Sequence, residues 1–543
     1  MKRILLLSGI SAITFGAFAA DFADPTTLTD AYIQKISPNG KYAVSNLSAN
    51  ALSIYNLETG DVFSYRIANE YAPEQYRFGI GQSISNNGIL AGGQTDATAE
   101  YWKDGVWYPL STAGRESFAN AANAISNDGS RICGILGAGE FSYDEDVLMA
   151  VPCIWNAEGD GYGEPVILPY PERDFLGRVP QYVKAIDISG DGNTVIGEVV
   201  DATGKFHYPI LYKIDEEGNW TYDIPHEDLL LPEGFVLPED PGVFTGEEPY
   251  APNYMTDEQF EAYNEALNKF YMGELDELPN CLDYMSGEEK ELFIELQAKY
   301  DEWKEKFDAW NNGIDELYDY APAYQDNSMR ISNDGLTYGC TIAHQSGPWS
   351  MMPSTYHVWL FDMNSDKITK YEEQDDLCLT YLANGGICVA STPATMSDAS
   401  NSFILKDGDI TGMYDWMNSK VPEYAAWMKE NMEFEYMAFD EDYNRVLMKE
   451  FFTGHAVSTP DLTVMALSVN NIGFPEDDSV WEDPDFTPII GYGYIFNLNV
   501  GSAVSAVRPA AEGKVIYDLS GRQLKEISSP GIYIINGEKK AVR

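Results

Sequence analysis

The sequence predicts a mainly β protein, a β-propeller of about seven four-stranded blades, with six or eight as the alternatives. A five-residue phrase, Ile-Ser-x-(Asn/Asp)-Gly, recurs along the chain, and a short apolar strand follows each copy. Between copies lies a second phrase, an aromatic-rich strand, a polar turn and another strand. Two hairpins per unit give four strands, and the spacing is close to a blade length of roughly 40 to 50 residues.

The five-residue phrase indicates a tight turn. Asn-Gly and Asp-Gly are strong hairpin signals, because a type I′ turn requires positive φ at both central residues and these residue types reach it at low cost. We therefore expect a type I′ turn in each copy. Five clear copies begin at Ile36, Ile84, Ile125, Ile188 and Ile331, and two weaker copies begin at Leu382 and Val457.

The second phrase supplies the outer hairpin of each unit. Its copies span 52–66, 101–110, 153–168, 209–224, 357–371 and 402–414. Trp102, Trp155 and Trp359 occupy equivalent positions, so we expect blade core there rather than a sugar-stacking surface, the alternative. The last strand-like run, 489–498, is expected to complete a blade begun near the N-terminus and so to close the ring. The propeller is thereby assigned to residues 30–500.

An acidic segment, 223–322, interrupts the propeller. It carries 27 Asp and Glu against five Lys. Capping boxes at 256–259 and 286–289 predict two helix starts, and so an α-helical hairpin insertion. After the second start, apolar residues recur at spacings of three and four, which indicates a helix with one apolar seam. They are Phe293, Leu296, Tyr300, Trp303, Phe307, Trp310, Ile314 and Leu317. A shorter helix is predicted over 421–432.

The N-terminus predicts a secretory signal peptide over residues 1–19. Met1, Lys2 and Arg3 precede an apolar run and an Ala-x-Ala sequence that ends at Ala19. We find no later segment long and apolar enough for a transmembrane helix. The protein is therefore expected to leave the cytoplasm and to be secreted or displayed at the outer cell surface.

The net charge of the chain and the motifs absent from its sequence argue against several classes of function. The formal net charge is −52, which argues against nucleic acid or an anionic membrane surface as partner, because both require basic patches. Common nucleophile, zinc, phosphate-loop and dinucleotide motifs are absent from the sequence. The histidines show no ligand spacing, so no metal site and no cofactor are predicted. Segments 156–161 and 189–193 have a faint likeness to calcium loops, but hairpin turns explain them better.

Six cysteines lack metal-site spacing. Cys133 with Cys153, and Cys378 with Cys388, each flank one hairpin and could pair as disulfides in an oxidising compartment. Buried free thiols are the alternative.

The repeat resembles a known family. The cycle of Ile-Ser-Asn-Asp-Gly, a strand ending in Gly, and a Trp-centred strand such as 101–105 resembles the extracellular HAF-type repeats. The resemblance covers about residues 30–500 outside the insertions, and it implies a β-propeller.

The C-terminal tail carries a second resemblance. The phrases Tyr-Asp-Leu-x-Gly-Arg and Gly-x-Tyr resemble the type A C-terminal sorting domain of the type IX secretion system. The matching residues are Tyr517, Asp518, Leu519, Gly521, Arg522, Gly531 and Tyr533. The resemblance implies a small β domain over 513–543 after a linker at 501–512, the type IX secretion machinery as partner, and a Bacteroidetes-type source.

The leading hypothesis is a secreted or surface binding protein that recognises a glycan or a protein, with the acidic insertion as a candidate contact surface. No catalytic residues are assigned. Two alternatives stay open. One is a carbohydrate-active hydrolase or lyase with carboxylates at one propeller mouth, and the other is a structural surface protein.

Overall fold

The chain divides into two compact units, Met1–Pro225 with Tyr324–Arg543, and His226–Ala323. The computed structural model describes residues 24–29, 31–48, 51–66, 80–93, 99–115, 120–138, 147–231, 233–242, 244–345, 354–374, 376–392, 400–439, 445–472, 489–498, 516–517, 523–524, 531–535 and 538–542. The predicted signal peptide and linker lie outside these residues.

Strands dominate the first unit. The first eighteen are β1 (Thr26–Thr29), β2 (Ile33–Ile36), β3 (Tyr42–Ser48), β4 (Ala51–Asn56), β5 (Val62–Arg66), β6 (Ile80–Ile84), β7 (Leu90–Gly93), β8 (Glu100–Lys103), β9 (Val106–Pro109), β10 (Ala121–Ile125), β11 (Arg131–Gly137), β12 (Ala150–Glu158), β13 (Gly161–Tyr162), β14 (Val166–Ile167), β15 (Tyr182–Ile188), β16 (Thr194–Val200), β17 (His207–Ile214) and β18 (Trp220–Asp223). The later ones are β19 (Arg330–Ile331), β20 (Thr337–Gln345), β21 (Ser354–Asp362), β22 (Ile368–Tyr371), β23 (Cys378–Ala383), β24 (Ile387–Ser391), β25 (Ser402–Lys406), β26 (Asp409–Gly412), β27 (Glu433–Phe439), β28 (Arg445–Phe451), β29 (His455–Ser458), β30 (Val464–Ile472), β31 (Ile489–Asn497), β32 (Ile516–Tyr517), β33 (Gln523–Leu524), β34 (Gly531–Ile535) and β35 (Glu538–Val542).

These strands form seven blades within the described residues. Six are consecutive along the chain, namely β2–β5, β6–β9, β10–β14, β15–β18, β19–β22 and β23–β26. A single parallel pair, Ala150 with Tyr182, joins the third and fourth into one nine-stranded sheet. The seventh has the order β1-β31-β30-β29, so the N-terminal strand pairs with the last strand of the propeller. The predicted β-propeller, its preferred blade number and its closure by 489–498 are therefore confirmed.

The turn of the repeat differs from the type I′ expectation. In the five clear copies only the glycine has positive φ, between 68° and 80°. The serine carbonyl accepts a hydrogen bond from the glycine amide at 2.8 to 3.1 Å. This matches a type I turn followed by a left-handed glycine. The expectation was wrong because it assigned positive φ to the Asn or Asp as well.

The serine of the repeat is buried and closes the turn. In six blades a Ser or Thr hydroxyl donates to the side-chain oxygen two residues later, at 2.5 to 2.8 Å. The pairs are Ser37–Asn39, Ser85–Asn87, Ser126–Asp128, Ser189–Asp191, Ser332–Asp334 and Thr459–Asp461. In the seventh blade the copy therefore starts at Ser458, one residue later than predicted.

Hydrogen bonds between successive turns link the blades. They are Asn39 N to Asn86 Oδ1 (2.8 Å), Asn86 N to Asn127 O (2.8 Å), Asn127 N to Gly190 O (2.9 Å), Gly190 N to Asn333 O (2.8 Å), Asp334 N to Asn384 Oδ1 (3.0 Å) and Asn384 N to Pro460 O (2.9 Å). The repeated phrase thus stabilises both its own hairpin and the neighbouring blade.

The three repeat tryptophans belong to the blade core, as predicted. Trp102, Trp155 and Trp359 are all buried. Trp155 Nε1 donates to Ser111 O at 2.7 Å, and Trp359 Nε1 donates to a Glu372 oxygen at 3.0 Å. All six cysteines are free thiols, four of them buried, so the disulfide alternative does not hold.

Two helices and a hairpin precede the seventh blade. The helix predicted over 421–432 is present at Pro422–Asn431, and a helix that was not predicted lies at Met413–Lys420. Buried methionines from both helices, among them Met417 and Met428, pack in one apolar cluster with strands of the sixth and seventh blades. β27 and β28 form a two-stranded antiparallel hairpin.

The second unit contains the two predicted helices of the insertion, Asp257–Tyr271 and Gly287–Tyr320. The Thr256 capping box is present. Ser286 instead makes no capping hydrogen bond, and its hydroxyl accepts from Gln259 Nε2 at 2.9 Å. The seam is buried at Phe293, Trp310, Ile314 and Leu317. No helix among the described residues is long and apolar enough to cross a membrane.

Candidate binding channel

The residue just before the repeated Ile or Leu lines one cavity in six blades. The cavity has a volume of about 370 Å³. The six residues are Lys35, Ser83, Ala124, Asp187, Arg330 and Tyr381. They belong to the first strands of blades one to six, so this position of the repeat faces the centre of the propeller.

An irregularity in the strand directs these side chains inward. In five blades the pairing of the first strand with the second shifts by one residue immediately before the lining position. Such a β-bulge places two residues of one strand opposite one residue of its partner and re-aims side chains. Blade four consequently presents both Ile186 and Asp187 to the cavity.

The bulge also explains a glycine within the second strand of the third and fourth blades, where the sequence predicted a glycine at the strand end. A Cβ on Gly134 would lie 2.0 Å from the carbonyl oxygen of Ala121, and one on Gly197 would lie 2.1 Å from that of Lys184. Real Cβ atoms do not approach an oxygen so closely. Glycine is therefore required opposite the bulge in these two blades, whereas Ser45 and Ala390 take the corresponding position in blades one and six.

Three charged side chains meet in the channel. Lys35, Asp187 and Arg330 line it and are partly exposed. Asp187 accepts hydrogen bonds from the amides of Ile188 and Ile331, both at 3.0 Å. Arg330 Nη1 donates to the carbonyls of Asn327 (2.9 Å) and Met329 (2.7 Å). Arg330 Nε is buried and has no hydrogen-bond partner among the described residues.

The pKa values in the channel reflect burial and mutual charge. Burial, followed by the positive charge of Arg330, lowers the pKa of Lys35 to about 8, and Asp187 opposes this change. Burial raises the pKa of Asp187, against the two cations and two amide hydrogen bonds. Burial and the charges of Lys35 and Arg330 lower the pKa of His455 to about 4, so this imidazole is neutral near pH 7.

Uncharged polar side chains complete the lining. They are Gln82, Ser83, Asn123, Asn127, Asn327 and Asn333. Asp187 is the one carboxylate among the described lining residues. The channel therefore combines three cations, Lys35, Lys184 and Arg330, and one anion with several amides, in a protein whose overall charge is strongly negative.

A second polar cluster lies beside Lys184, another lining residue. Glu198 is fully buried, and its carboxylate is 2.5 Å from His207 Nδ1 and 3.4 Å from Lys184 Nζ. Lys184 Nζ is also 2.5 Å from Asp326 Oδ1. Burial alone would lower the pKa of His207. The hydrogen bond and the charge of Glu198 raise this pKa by a larger amount, so it lies above its usual value.

The second cluster is a poor metal site. Donor atoms of Glu198, His207 and Asp326 lie within 4.8 Å of one another, which would suit a cation. The Lys184 ammonium contacts both carboxylates, however, and so takes the position of that cation. A metal ion would have to displace the ammonium and deprotonate His207.

The proposed calcium-like segment 189–193 is a turn. Asp191 Oδ1 accepts from Ser189 Oγ at 2.6 Å and from the amide of Asn193 at 3.0 Å. These donors lower the pKa of Asp191 even though burial would raise it. Its oxygens are therefore committed to closing the hairpin.

The residues predicted for sorting lie in the C-terminal part. Tyr517 is in β32, and Gly531 and Tyr533 are in β34. These strands belong to a four-stranded antiparallel sheet of order β33-β32-β34-β35. Asp518, Leu519, Gly521 and Arg522 lie outside the described residues.

Sequence reasoning missed the channel residues. Lys35, Asp187 and Arg330 directly precede copies of a phrase whose remaining positions hardly vary. A charged residue at that position in three copies, with Ser, Ala or Tyr in others, was the available signal. The sequence prediction did not include these residues because it was based on the positions that the copies share.

Comparison with known proteins gives distant structural matches at low identity. No protein-family model matches the chain, and no curated protein sequence matches it. Among solved structures, it is similar to the β-propeller domain of Myceliophteria thermophila Cps50 (Swd1), at 10% identity over 87% of this chain and 99% of that one, with a TM-score of 0.38. The RRP9 WD40 repeats match at 8% identity over 87% and 99%, with a TM-score of 0.35. Trypanosoma rangeli sialidase matches at 8% identity over 88% and 59%, with a TM-score of 0.36.

Proposed function

We propose that this protein is a secreted or surface-displayed binding protein that holds a glycan in the central channel of its propeller, with a protein ligand as the alternative. The carrying observation is the lining position of the repeat, which supplies Lys35, Asp187 and Arg330 to a cavity of about 370 Å³. This volume lies at the small end of the range for small-molecule sites, roughly 300 to 1,000 Å³.

The charge of the channel argues against the hydrolase alternative. Most glycoside hydrolases use a pair of carboxyl groups on either side of the scissile bond. Among the described lining residues only Asp187 carries a carboxyl group. The buried Glu198 is held by His207 and Lys184 and does not line the cavity.

A glycan array and a panel of immobilised proteins, probed with the full chain and with Asp187→Asn, test this proposal. We expect at least one ligand to bind the wild-type protein without being chemically altered. Hydrolysis of a glycan that disappears in Asp187→Asn would overturn the binding proposal in favour of the enzyme. Self-assembly with no ligand on either panel would overturn it in favour of a structural protein.

We also propose that residues 513–543 direct export through the type IX secretion machinery, and that the repeats are of the HAF type from a Bacteroidetes-like source. The motif residues Tyr517, Gly531 and Tyr533, on strands of a small antiparallel sheet, support the sorting role. Truncation after residue 498 retains all of β31. We expect this variant to fold and to remain in the periplasm. Secretion at the wild-type level would contradict the sorting role.

A further inference from the structure

We infer that the ligand of the channel is a hydroxyl-rich carboxylate, an acidic sugar of the uronic-acid type. The inference rests on the proposed function, because it names the ligand class of the same site. It goes further by assigning the recognition of the sugar carboxylate to Arg330 and Lys35.

The cations of the channel form the first step. Net charge over the whole chain is −52, yet the described channel lining contains more cationic than carboxylate side chains. Lys35 and Arg330 face the same cavity, and the single carboxylate of Asp187 offsets only one of their two charges. An entering carboxylate would offset the other charge, whereas a neutral sugar would not.

The hydrogen bonding of Arg330 forms the second step. Its Nη1 is held by two backbone carbonyls, and these contacts fix the guanidinium. Its Nε has no hydrogen-bond partner among the described residues. Nε itself is out of reach of solvent, so a carboxylate would bind the guanidinium of this partly exposed lining residue through its other N–H groups, as a charge-assisted donor.

The uncharged lining forms the third step and selects a sugar over a simple organic acid. Gln82, Ser83, Asn123, Asn127 and Asn333 place amide and hydroxyl groups along the cavity. These groups both donate and accept hydrogen bonds, as sugar hydroxyls do. The cavity is also too small for a folded partner. An acidic peptide side chain remains the competing ligand, and the test includes it.

Titration calorimetry with full-length protein tests the assignment. The probes are digalacturonic acid, the neutral disaccharide galactobiose and an acidic tetrapeptide. The variants are Lys35→Met and Arg330→Lys, and Lys213→Met is the matched control because Lys213 is an exposed lysine on β17. Circular dichroism melting confirms that each variant is folded.

We expect digalacturonic acid to bind, with little or no binding of the other two probes. A lost hydrogen bond to a charged group corresponds to roughly a 10- to 100-fold loss of affinity. Lys35→Met and Arg330→Lys should each show a loss in that range, and Lys213→Met should show none. Two channel variants keep the test decisive if Arg330→Lys alone fails to fold.

Other outcomes overturn the inference and separate it from the proposed function. Equal binding of galactobiose, lost in Lys35→Met, would refute the acidic ligand but leave a binding channel. Binding of the tetrapeptide alone would refute the sugar. If no probe binds, the acidic-sugar assignment is wrong, and the glycan and protein panels decide the proposed function separately.

Discussion

Each repeat contains a turn, and in six blades the residue just before the repeat lines the channel. These two parts lie close together in the sequence, but they differ in burial and in how much they vary between blades. The turn serine is buried in every clear copy and makes the same hydrogen bonds each time. The preceding residue differs between blades and faces a cavity. Within this repeat, similarity between copies indicates a folding requirement, and variation occurs at the position to which we assign the proposed binding function.

Two kinds of substitution should therefore have opposite consequences. Changes in the turn or opposite the bulge should lower stability and leave the channel chemistry intact where the blade contributes no charge. A change at Lys35 should alter binding and cost little stability, because burial disfavours the charge of this side chain.

The largest expected effect is that of Gly197→Ala. The new Cβ would lie 2.1 Å from the carbonyl oxygen of Lys184 and would force the bulge of the fourth blade to move. Overpacking typically costs about 1 to 3 kcal/mol, and because the contact is with a backbone atom that cannot rotate away, we expect a loss of about 3 kcal/mol in urea unfolding. Gly412→Ala is the control, because its φ is −56° and no atom lies within 4 Å of the added Cβ. Equal stability of the two variants would disprove the role of the bulge.

Ser126→Ala should have the next largest effect. The hydroxyl donates to Asp128 at 2.8 Å and accepts from the amide of Arg131 at 3.0 Å. Removing it leaves the amide of Arg131 without its acceptor, which costs about 1 to 3 kcal/mol, whereas Asp128 Oδ1 still accepts from the amide of Ser130. The lining residue of this blade is Ala124, so the charges of the channel are unchanged. An unchanged urea midpoint would show that the turn does not need the serine.

Lys35→Met should have a smaller effect of opposite sign. A lysine whose pKa falls to about 8 on folding destabilises the folded protein below pH 8. The penalty disappears as pH rises through 8 toward the unfolded value of about 10.4. We therefore expect Lys35→Met to be more stable than wild type at pH 7, by at most about 3 kcal/mol, and the difference to shrink at pH 10. Unfolding at both pH values checks this, and a loss of stability at pH 7 would contradict it.

Deleting residues 226–323 should have the smallest effect on the propeller. These residues form a compact unit of their own, with a separate buried seam at Phe293, Trp310 and Leu317. We expect the shortened chain, joined by a short Gly-Ser linker, to keep the melting temperature of the propeller within a few degrees. Global unfolding of this variant would show that the insertion belongs to the propeller core.

Much of the fold was predictable because each copy of the repeat contains the residues that its turn and its blade need in order to fold. Gly192 needs positive φ, Ser189 closes its turn, and Trp155 fills a blade, and each requirement recurs with the period of the blade. The helix at Met413–Lys420 was missed because its buried Met413 and Met417 pack in a tertiary cluster with the next helix and with strands of the sixth and seventh blades. Local patterns do not report such packing.

The candidate site was not predictable in the same way. Lys35, Asp187 and Arg330 come from blades one, four and five, and only closure of the ring brings them together. The bulge that precedes Lys35 and Asp187 is a pairing irregularity with only a weak trace in the sequence, such as Gly197, and blade five places Arg330 without one. Once the blade register is known, the varied position before each repeat indicates the residues that line the channel.

The most direct test measures unfolding free energy and affinity for digalacturonic acid on the same preparations of Ser126→Ala and Lys35→Met. We predict that Ser126→Ala loses about 1 to 3 kcal/mol of stability and keeps its affinity while folded. Lys35→Met should keep or gain stability and lose affinity at least about tenfold. If both variants changed both quantities in the same direction, the separation between a structural turn and a binding position would be wrong.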